Sequence, residues 1–547
     1  MAATRAIVAL LVALALPACH HPAPVTPLPP MTHQAYAYYL DGKLEAYRSE
    51  WAAAADSLTL AAKAAPDQPM IAVELARVQA KAKREAAAAD TLAAARKKWP
   101  KHAQVWLMSG DLLGAGKRDE AIHAYRRAIE LAPDDERGYL GLAKLEGPDE
   151  SEAVLRQLVE KIPDSVDGHY RLAQRFAKRD DLATAIKELR AVIERDPDHI
   201  DARLDLARAL RRTGHIDGAI EQTRSAFDRS GQALDVAEEL FWLLCESDDR
   251  TAAIDLLTLL DDDRSDADAL AAIAQLARGI GRLTQARAIA IRISAVDPDA
   301  GALIHAQLDA ASDPTGAVKR LLPIAPESPR FADARRIAGD ILLAAGDPAG
   351  AAAVVKPARE VAPKDLDVAL VAAVARADGG DPAGARAMLA GFGDGLVPGL
   401  VRARLEDHLH APDAALAILE PLIAKNPEST TALNLAGYLL ADRGQRLPEA
   451  ERWLARARDL APGDPAILDS WGWLLLKEGR AREAVRALDR ASRFSPNEPE
   501  IMVHLAMAWA ADHAPRTAAE VLDRALALKP SPAILQRIEA VRAALPR

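Results

Sequence analysis

The sequence predicts an all-α fold in which many similar helix pairs stack in a row. Half of its 547 residues are hydrophobic but only 4% are aromatic, and this composition suits closely packed helices better than β-sandwiches. Similar segments recur every 33 to 35 residues along most of the chain. A chain of this length is also too long for one ordinary core, so a repeat array is the expected organisation.

Alanines and prolines mark the period of this array. Small residues let two helices approach closely, and proline cannot continue a helix. Alanines lie near the start of equivalent helices at Ala54, Ala88, Ala121, Ala185, Ala219, Ala253, Ala286, Ala317, Ala351, Ala385, Ala415, Ala450, Ala484 and Ala518. The step from Ala121 to Ala185 spans two repeats, and Ser151 takes the place of the alanine in the repeat between them. Prolines follow most of these alanines twelve residues later, at Pro66, Pro100, Pro133, Pro197, Pro298, Pro363, Pro462, Pro496 and Pro530.

A recurring hexapeptide marks the turn between the two helices of a pair. The hexapeptide GDPAGA occurs at both 346–351 and 380–385. Its glycine suits the end of a first helix, its aspartate suits the N-cap of a second, and its proline suits the first turn. Each copy therefore predicts a short turn between two antiparallel helices.

Residues 35–530 resemble the tetratricopeptide repeat (TPR) family, in roughly fifteen units, of which 465–498 and 499–532 are the cleanest. In 465–498 the family positions hold Leu468, Trp471, Gly472, Leu475, Gly479, Ala484, Leu488, Ala491 and Pro496. The resemblance implies a right-handed superhelical solenoid of about fifteen helix pairs, closed by a capping helix in 531–547. Irregular units are expected near 136–165, 234–265, 301–328 and 399–428.

Residues 1–18 are predicted to be a lipoprotein signal peptide. Arg5 precedes the apolar run Ile7 to Leu16, and the following LPAC resembles a bacterial lipobox, although Pro17 departs from the usual residue. The resemblance implies a lipid on Cys19, with the proline-rich residues 19–34 as a tether. An ordinary signal peptide with an incidental cysteine is the alternative. Because His20 rather than aspartate follows, the periplasmic face of the outer membrane is the expected location.

Composition and motifs argue against nucleic-acid binding and catalysis. A formal net charge of −10 disfavours a dedicated nucleic-acid binder, which would present a basic face. The sequence shows no nucleophile elbow, phosphate-binding loop or zinc-protease motif, so neither an enzyme nor a cofactor is expected. Two charged stretches, basic at 77–101 and acidic at 235–268, suit either a steering surface or ordinary solvated helix faces.

The TPR resemblance also implies an inner groove lined by the first helix of each unit. On the family register, Trp471 belongs to the core and Trp473 faces the groove. Trp473 is expected to form a protein-binding patch with Tyr438, Asn434, Asp469 and Met507. The same register places further rings on inner positions, at Trp106, Tyr170 and Trp242. The alternative is that these rings pack between neighbouring inner helices.

The stretch from about 430 to 530 looks like the closing repeats of proteobacterial repeat lipoproteins. One such group comprises adaptors that recruit a carboxyl-terminal processing protease and deliver cell-wall hydrolases to it. The resemblance implies a membrane-anchored scaffold whose partners are a protease and its hydrolase clients. Two alternatives stay open: an assembly or secretion factor for pili or exopolysaccharide, and a binder of peptidoglycan or other carbohydrate.

Overall fold

The computed structural model describes residues 30–247, 249–262, 265–461 and 463–545, apart from the side chains of Ala115 and Asp262. The predicted signal peptide, the lipidation of Cys19 and most of the tether fall outside these residues. Among the described residues, no helix has the length and apolar composition needed to cross a membrane.

The described residues form 31 α-helices, which make fifteen successive pairs and one final helix, as the sequence predicts. The first ten are α1 (His33–Tyr47), α2 (Trp51–Ala64), α3 (Pro69–Lys81), α4 (Glu85–Lys98), α5 (Ala103–Leu113), α6 (Arg118–Leu131), α7 (Glu136–Leu145), α8 (Pro148–Lys161), α9 (Val166–Lys178) and α10 (Leu182–Arg195). A short 3-10 helix, Gly114–Lys117, joins α5 to α6.

The next ten helices are α11 (Ile200–Arg212), α12 (Ile216–Arg229), α13 (Leu234–Glu246), α14 (Arg250–Asp262), α15 (Ala267–Gly279), α16 (Leu283–Val296), α17 (Pro298–Asp309), α18 (Pro314–Leu321), α19 (Phe331–Ala344) and α20 (Pro348–Val361). The last eleven are α21 (Leu366–Asp378), α22 (Pro382–Ala390), α23 (Leu396–His408), α24 (Pro412–Lys425), α25 (Thr430–Asp442), α26 (Leu447–Leu460), α27 (Pro465–Lys477), α28 (Ala481–Phe494), α29 (Pro499–Ala511), α30 (Pro515–Ala527) and α31 (Pro532–Ala544).

The helices belong to two compact units that meet in sequence at Ala202 and Arg203, inside α11. Unit 1 contains α1 to α10 and the start of α11. Unit 2 contains the rest of α11 and every later helix. The shortest α-helices are α18, α22 and α7, with 8, 9 and 10 residues, so the pairs are not all alike.

The small residues of the repeat hold each pair together. All fourteen alanines that mark the period are at most 2% exposed. In the pair formed by α27 and α28, a Cβ atom added at Gly472 would lie 2.5 Å from Leu488 Cγ, so only glycine permits this approach. The periodic small residues are therefore the contact points between the two helices of a pair, as predicted.

The turns within the pairs follow the predicted chemistry. In the two GDPAGA copies, Asp347 and Asp381 cap α20 and α22 by accepting hydrogen bonds from Gly350 N and Gly384 N, at 2.8 and 2.7 Å. Gly346 precedes the first of these caps with a φ of +78°, which L side chains rarely adopt. Glycine thus ends the first helix and aspartate begins the second.

Candidate functional site: a cleft on the inner helices of unit 2

A cleft of about 760 Å³ opens on four consecutive first helices of unit 2. These are α23, α25, α27 and α29, which is the set of helices that the TPR register places on the inner surface. The lining residues are Arg404, Asp407, Thr431, Asn434, Leu435, Tyr438, Pro465, Ala466, Asp469, Ser470, Ser495, Glu498, Glu500, Ile501 and His504.

Three residues of the predicted patch, Asn434, Tyr438 and Asp469, line this cleft together. Asn434 and Asp469 lie 35 residues apart, so they hold the same place in successive repeats. Met507 is absent from the lining and packs, half-buried, against the two C-terminal core clusters. Three residues of the predicted patch therefore lie together in the cleft, whereas Met507 packs against the core.

Trp473 is not exposed in the groove, and that expectation is wrong. Its side chain is only 5% exposed and stacks on the His504 ring, with 4.3 Å between ring centroids. Its indole N–H donates to Asp442 Oδ1 at 3.1 Å. The ring is packed between neighbouring inner helices, which is the alternative that the sequence left open.

Trp471 also departs from the prediction, because it is half-buried rather than enclosed in the core. It packs at the edges of two core clusters. The Arg458 guanidinium lies over its outer face, with its carbon atom 4.4 Å from the ring centroid. Of the two tryptophans, Trp473 is therefore the more deeply buried, and neither lines the cleft.

A polar chain, of which the sequence analysis singled out only Asp469, joins residues of the cleft lining to Arg537 of α31. His504 is 1% exposed, and its Nδ1 lies 2.8 Å from Asp469 Oδ1. Its Nε2 lies 3.0 Å from Arg537 Nη2, and Arg537 also donates to Glu500 at 2.5 Å. Positions 469, 504 and 537 are one repeat apart, so this spacing was the available signal. The chain fixes Asp469 and leaves it little freedom to pair with a ligand.

Other polar groups of the cleft lack partners among the described residues. Asn434 Oδ1 is buried and accepts no hydrogen bond. Burial raises the pKa of the Asp407 carboxyl above its ordinary value; His410 and His408 oppose this rise, and Asp442 and Glu500 add to it. Partial removal from water likewise raises the pKa of Glu498, which lies at the cleft edge. A buried acceptor without a hydrogen bond favours a ligand that donates one, and two carboxylates whose ionisation is disfavoured by burial favour a ligand with positive charge.

Tyr438 adds an amphipathic wall to this site. Its ring packs against the core cluster of α25 and α27 while its side chain lines the cleft. Burial raises the pKa of the Tyr438 phenol, with contributions from Asp442 and Glu500, so the hydroxyl remains a neutral hydrogen-bonding group. An apolar ring with a polar tip is a common contact in protein interfaces.

The remaining predicted rings lie elsewhere. In unit 1, Trp106 is half-buried, donates from Nε1 to Pro100 O at 2.9 Å and meets His123 edge-on at 5.7 Å. Tyr170, also in unit 1, contacts the His199 ring at 4.7 Å. Trp242, in unit 2, packs edge-on against Phe241 at 5.1 Å and is absent from the cleft lining.

Part of each charged stretch is engaged in ion pairs within its own unit. In the acidic stretch, carboxylates pair with arginines of other helices: Glu239 with Arg208, Glu246 with Arg211, Asp261 with Arg292, and Asp268 with Arg330. In the basic stretch, pairs join Arg77 to Glu74, Arg84 to Asp56, and Lys98 to Asp67. Four carboxylates of the acidic stretch and three cations of the basic stretch therefore serve contacts within their units.

Comparison with known proteins agrees with this architecture. One family model, described as tetratricopeptide repeat, matches residues 108–165, 142–199, 400–465 and 470–532, and another with the same description matches 176–232. The chain is a tetratricopeptide-repeat protein. The TPR repeat-containing protein PA4667 of Pseudomonas aeruginosa is 48% identical over 59 residues. That match spans 11% of this TPR chain and 10% of the relative's length.

Two solved structures are similar over most of the TPR chain. The Naa15/Naa10 structure bound to HypK-THB has 14% identity and a TM-score of 0.34, and the match covers 94% of this chain and 100% of that one. The APC/C hetero-tetramer Cut9–Hcn1 has 15% identity and a TM-score of 0.32, and the match covers 93% and 96% of the two chains.

Proposed function

We propose that this chain is a lipid-anchored periplasmic adaptor, and that the cleft of unit 2 holds a segment of its partner protein. Tetratricopeptide repeats form protein-binding scaffolds, and the described residues are built as such repeats. The observation that carries the proposal is the cleft itself, which lies on the inner helices and contains polar groups without partners.

The chemistry of the cleft supports a partner segment with a basic side chain. The described residues form no salt bridge with Asp407 or Glu498, and Arg278 near Glu498 and the histidines near Asp407 offset only part of the rise in pKa. A partner lysine or arginine closer to them would offset more of the cost of their desolvation. Asn434 Oδ1 would accept a hydrogen bond from the same segment. Tyr438 would contribute apolar contact and a hydroxyl.

Two features support the membrane anchor. The first is the LPAC stretch ending at Cys19, which resembles a lipobox. The second is helix α1, which begins 14 residues after Cys19 and exposes an apolar stripe. The stripe consists of Tyr36, Leu40, Leu44 and Tyr47, and tyrosine and leucine suit the boundary of a bilayer. The outer membrane, facing the periplasm, remains the proposed location.

Among adaptor roles, recruitment of a carboxyl-terminal processing protease and its cell-wall hydrolase clients is the one we propose, by resemblance of residues 430–530. The cleft falls largely within this stretch. Assembly of pili or exopolysaccharide would use the same cleft for another client. A carbohydrate-binding role has less support, because the rings that would stack on sugars are buried or separate: Trp473 is 5% exposed.

Affinity purification of the full chain from membrane extracts tests the proposal. The charge-neutral variant Asp407→Asn/Glu498→Gln should lose a partner protein that the unchanged chain retains. Its matched control is Glu520→Gln/Glu539→Gln, which removes the same charge from exposed positions of α30 and α31.

The control should retain the partner. Equal retention by all three proteins would contradict the cleft as the binding site. A protease or hydrolase among the retained proteins would support the adaptor role, and pilus or polysaccharide machinery would favour the assembly role. Recovery of glycan alone would contradict protein binding.

A further inference from the structure

Two segments of unit 2 that lie seven helix pairs apart contact each other directly. Glu246, at the end of α13, is 244 residues from Arg490 of α28, yet Arg490 Nη2 lies 3.3 Å from Glu246 O and 3.4 Å from Glu246 Oε1. Nearest-neighbour stacking of repeats does not require such a contact. It brings the C-terminal pairs against the first pairs of the unit.

The ion pairs at this contact are enclosed. The Glu246 side chain is only 6% exposed, and Arg211 Nε approaches its Oε2 to 2.7 Å from a second side. Burial lowers the pKa of the Arg211 guanidinium, and the charge of Arg490 lowers it further. Removing either arginine would leave the buried carboxylate with less compensating charge, which destabilises the contact.

Neutral contacts extend the same interface. Asn497 Nδ2 donates to Arg278 O at 3.2 Å, across 219 residues. Pro496 packs against Gly281, where an added Cβ would lie 2.9 Å from Pro496 Cγ. Between the two sides is a cavity of only about 10 Å³, lined by Cys245, Arg250, Ala253, Ile280, Arg493 and Phe494. The surfaces therefore fit closely.

The interface shares a short loop with the cleft. Pro496 and Asn497 make the contacts just described, while Ser495 and Glu498, on either side of them, line the cleft. Arg278 lies close enough to Glu498 for its charge to oppose the rise in the Glu498 pKa. Any separation of the two sides would therefore move one wall of the cleft.

We propose that these contacts form a clasp that closes unit 2 on itself and fixes the wall of the cleft between residues 495 and 500. The clasp consists of Arg211, Glu246, Arg278 and Gly281 on the N-terminal side of unit 2 and of Arg490, Pro496 and Asn497 on the C-terminal side. When it opens, the wall is released and the cavity beside Cys245 is exposed.

The labelling rate of the native Cys245 thiol measures how often the clasp opens. It is buried in the clasp cavity, and burial raises its pKa to about 12, so a closed clasp keeps it unreactive. In the full chain with Cys19→Ser, Cys245 is the only thiol. Arg490→Gln should label with a maleimide at least about tenfold faster than the unchanged chain. The matched control Arg486→Gln, an exposed arginine on the same helix, should label at the unchanged rate.

Hydrogen exchange on the same proteins tests the link to the cleft. The amides of residue 498 and residues 500–504 should exchange faster in Arg490→Gln and not in the control. Unchanged labelling in Arg490→Gln would overturn the clasp. Faster labelling without faster exchange in 498–504 would overturn its coupling to the cleft wall.

A disulfide provides a second test that does not depend on losing an ion pair. A Cβ built at Gly281 lies 3.9 Å from Pro496 Cβ, close to the mean of about 3.8 Å for disulfides. In a Cys19→Ser/Cys245→Ala background, Gly281→Cys/Pro496→Cys should oxidise and migrate faster on a non-reducing gel. The control Gly346→Cys/Pro496→Cys replaces a glycine of similar φ that has no neighbour within 4 Å, and it should stay reduced.

Equal behaviour of the two cysteine pairs would overturn the clasp. None of these measurements involves a partner protein. Failure of the clasp is therefore distinguishable from failure of the proposed adaptor function.

Discussion

Replacing Trp473 by alanine should destabilise the inner helices of unit 2. The substitution removes a ring that is 5% exposed, stacked on His504 and hydrogen-bonded to Asp442. Large-to-small changes at a buried tryptophan cost about 3–5 kcal/mol. Trp471→Ala, at a half-buried ring, should cost roughly 1–2 kcal/mol, since only part of its surface is removed from water.

Hydrogen exchange measures this cost locally, which suits a repeat array whose segments open separately. The protection of amides in α25, α27 and α29 should fall in Trp473→Ala by the factor that corresponds to 3–5 kcal/mol, about 10² to 10⁴ at 25 °C. Trp471→Ala should lose far less in the same helices. If Trp471→Ala loses more protection, or if Trp473→Ala loses none, the packing described for the two rings is refuted.

Three further outcomes are expected. Gly472→Ala should lower the free energy of unfolding in urea by about 1–3 kcal/mol, because the added Cβ would clash with Leu488. Gly479→Ala meets no neighbouring atom, so it should cost only about 1 kcal/mol of backbone strain. Cys19→Ser should abolish lipid labelling and release the chain from membranes, and identical fractionation of variant and unchanged chain would contradict the anchor. A lysine-containing partner peptide should bind more tightly as the pH rises above 4.5, because Asp407 and Glu498 have raised pKa values and must ionise to pair with it; titration calorimetry showing no such rise would count against this pairing.

The repeat could be predicted from the sequence because its signals are local. An alanine, a glycine stop or an aspartate cap acts within one helix pair, and the pattern recurs along most of the chain. Fifteen pairs and a final helix follow from that pattern without any knowledge of distant contacts.

The exposure of Trp473 could not be predicted in the same way. The family register places Trp473 on the groove side of α27, but the burial of its ring depends on what the neighbouring repeats present. There His504 supplies a flat ring that covers it, and Asp442 from the preceding repeat accepts its N–H. A register within one unit does not contain this information.

The contact between Glu246 and Arg490 lies further beyond sequence reasoning. It depends on the rotation accumulated over seven helix pairs, several of which are shortened. A small change in each pair would separate the two side chains. Neither residue stands out in the sequence, because both belong to ordinary charged helix faces.

The central claim is that the partner protein lies in the cleft of unit 2, and site-specific photo-crosslinking tests it most directly. A photoreactive residue at Asn434, inside the cleft, is compared in living cells with one at Arg486, on an exposed face of α28. The account predicts a crosslinked partner protein from position 434 and none from position 486. A partner crosslinked only from 486, or from neither position while affinity purification still recovers it, would contradict the account.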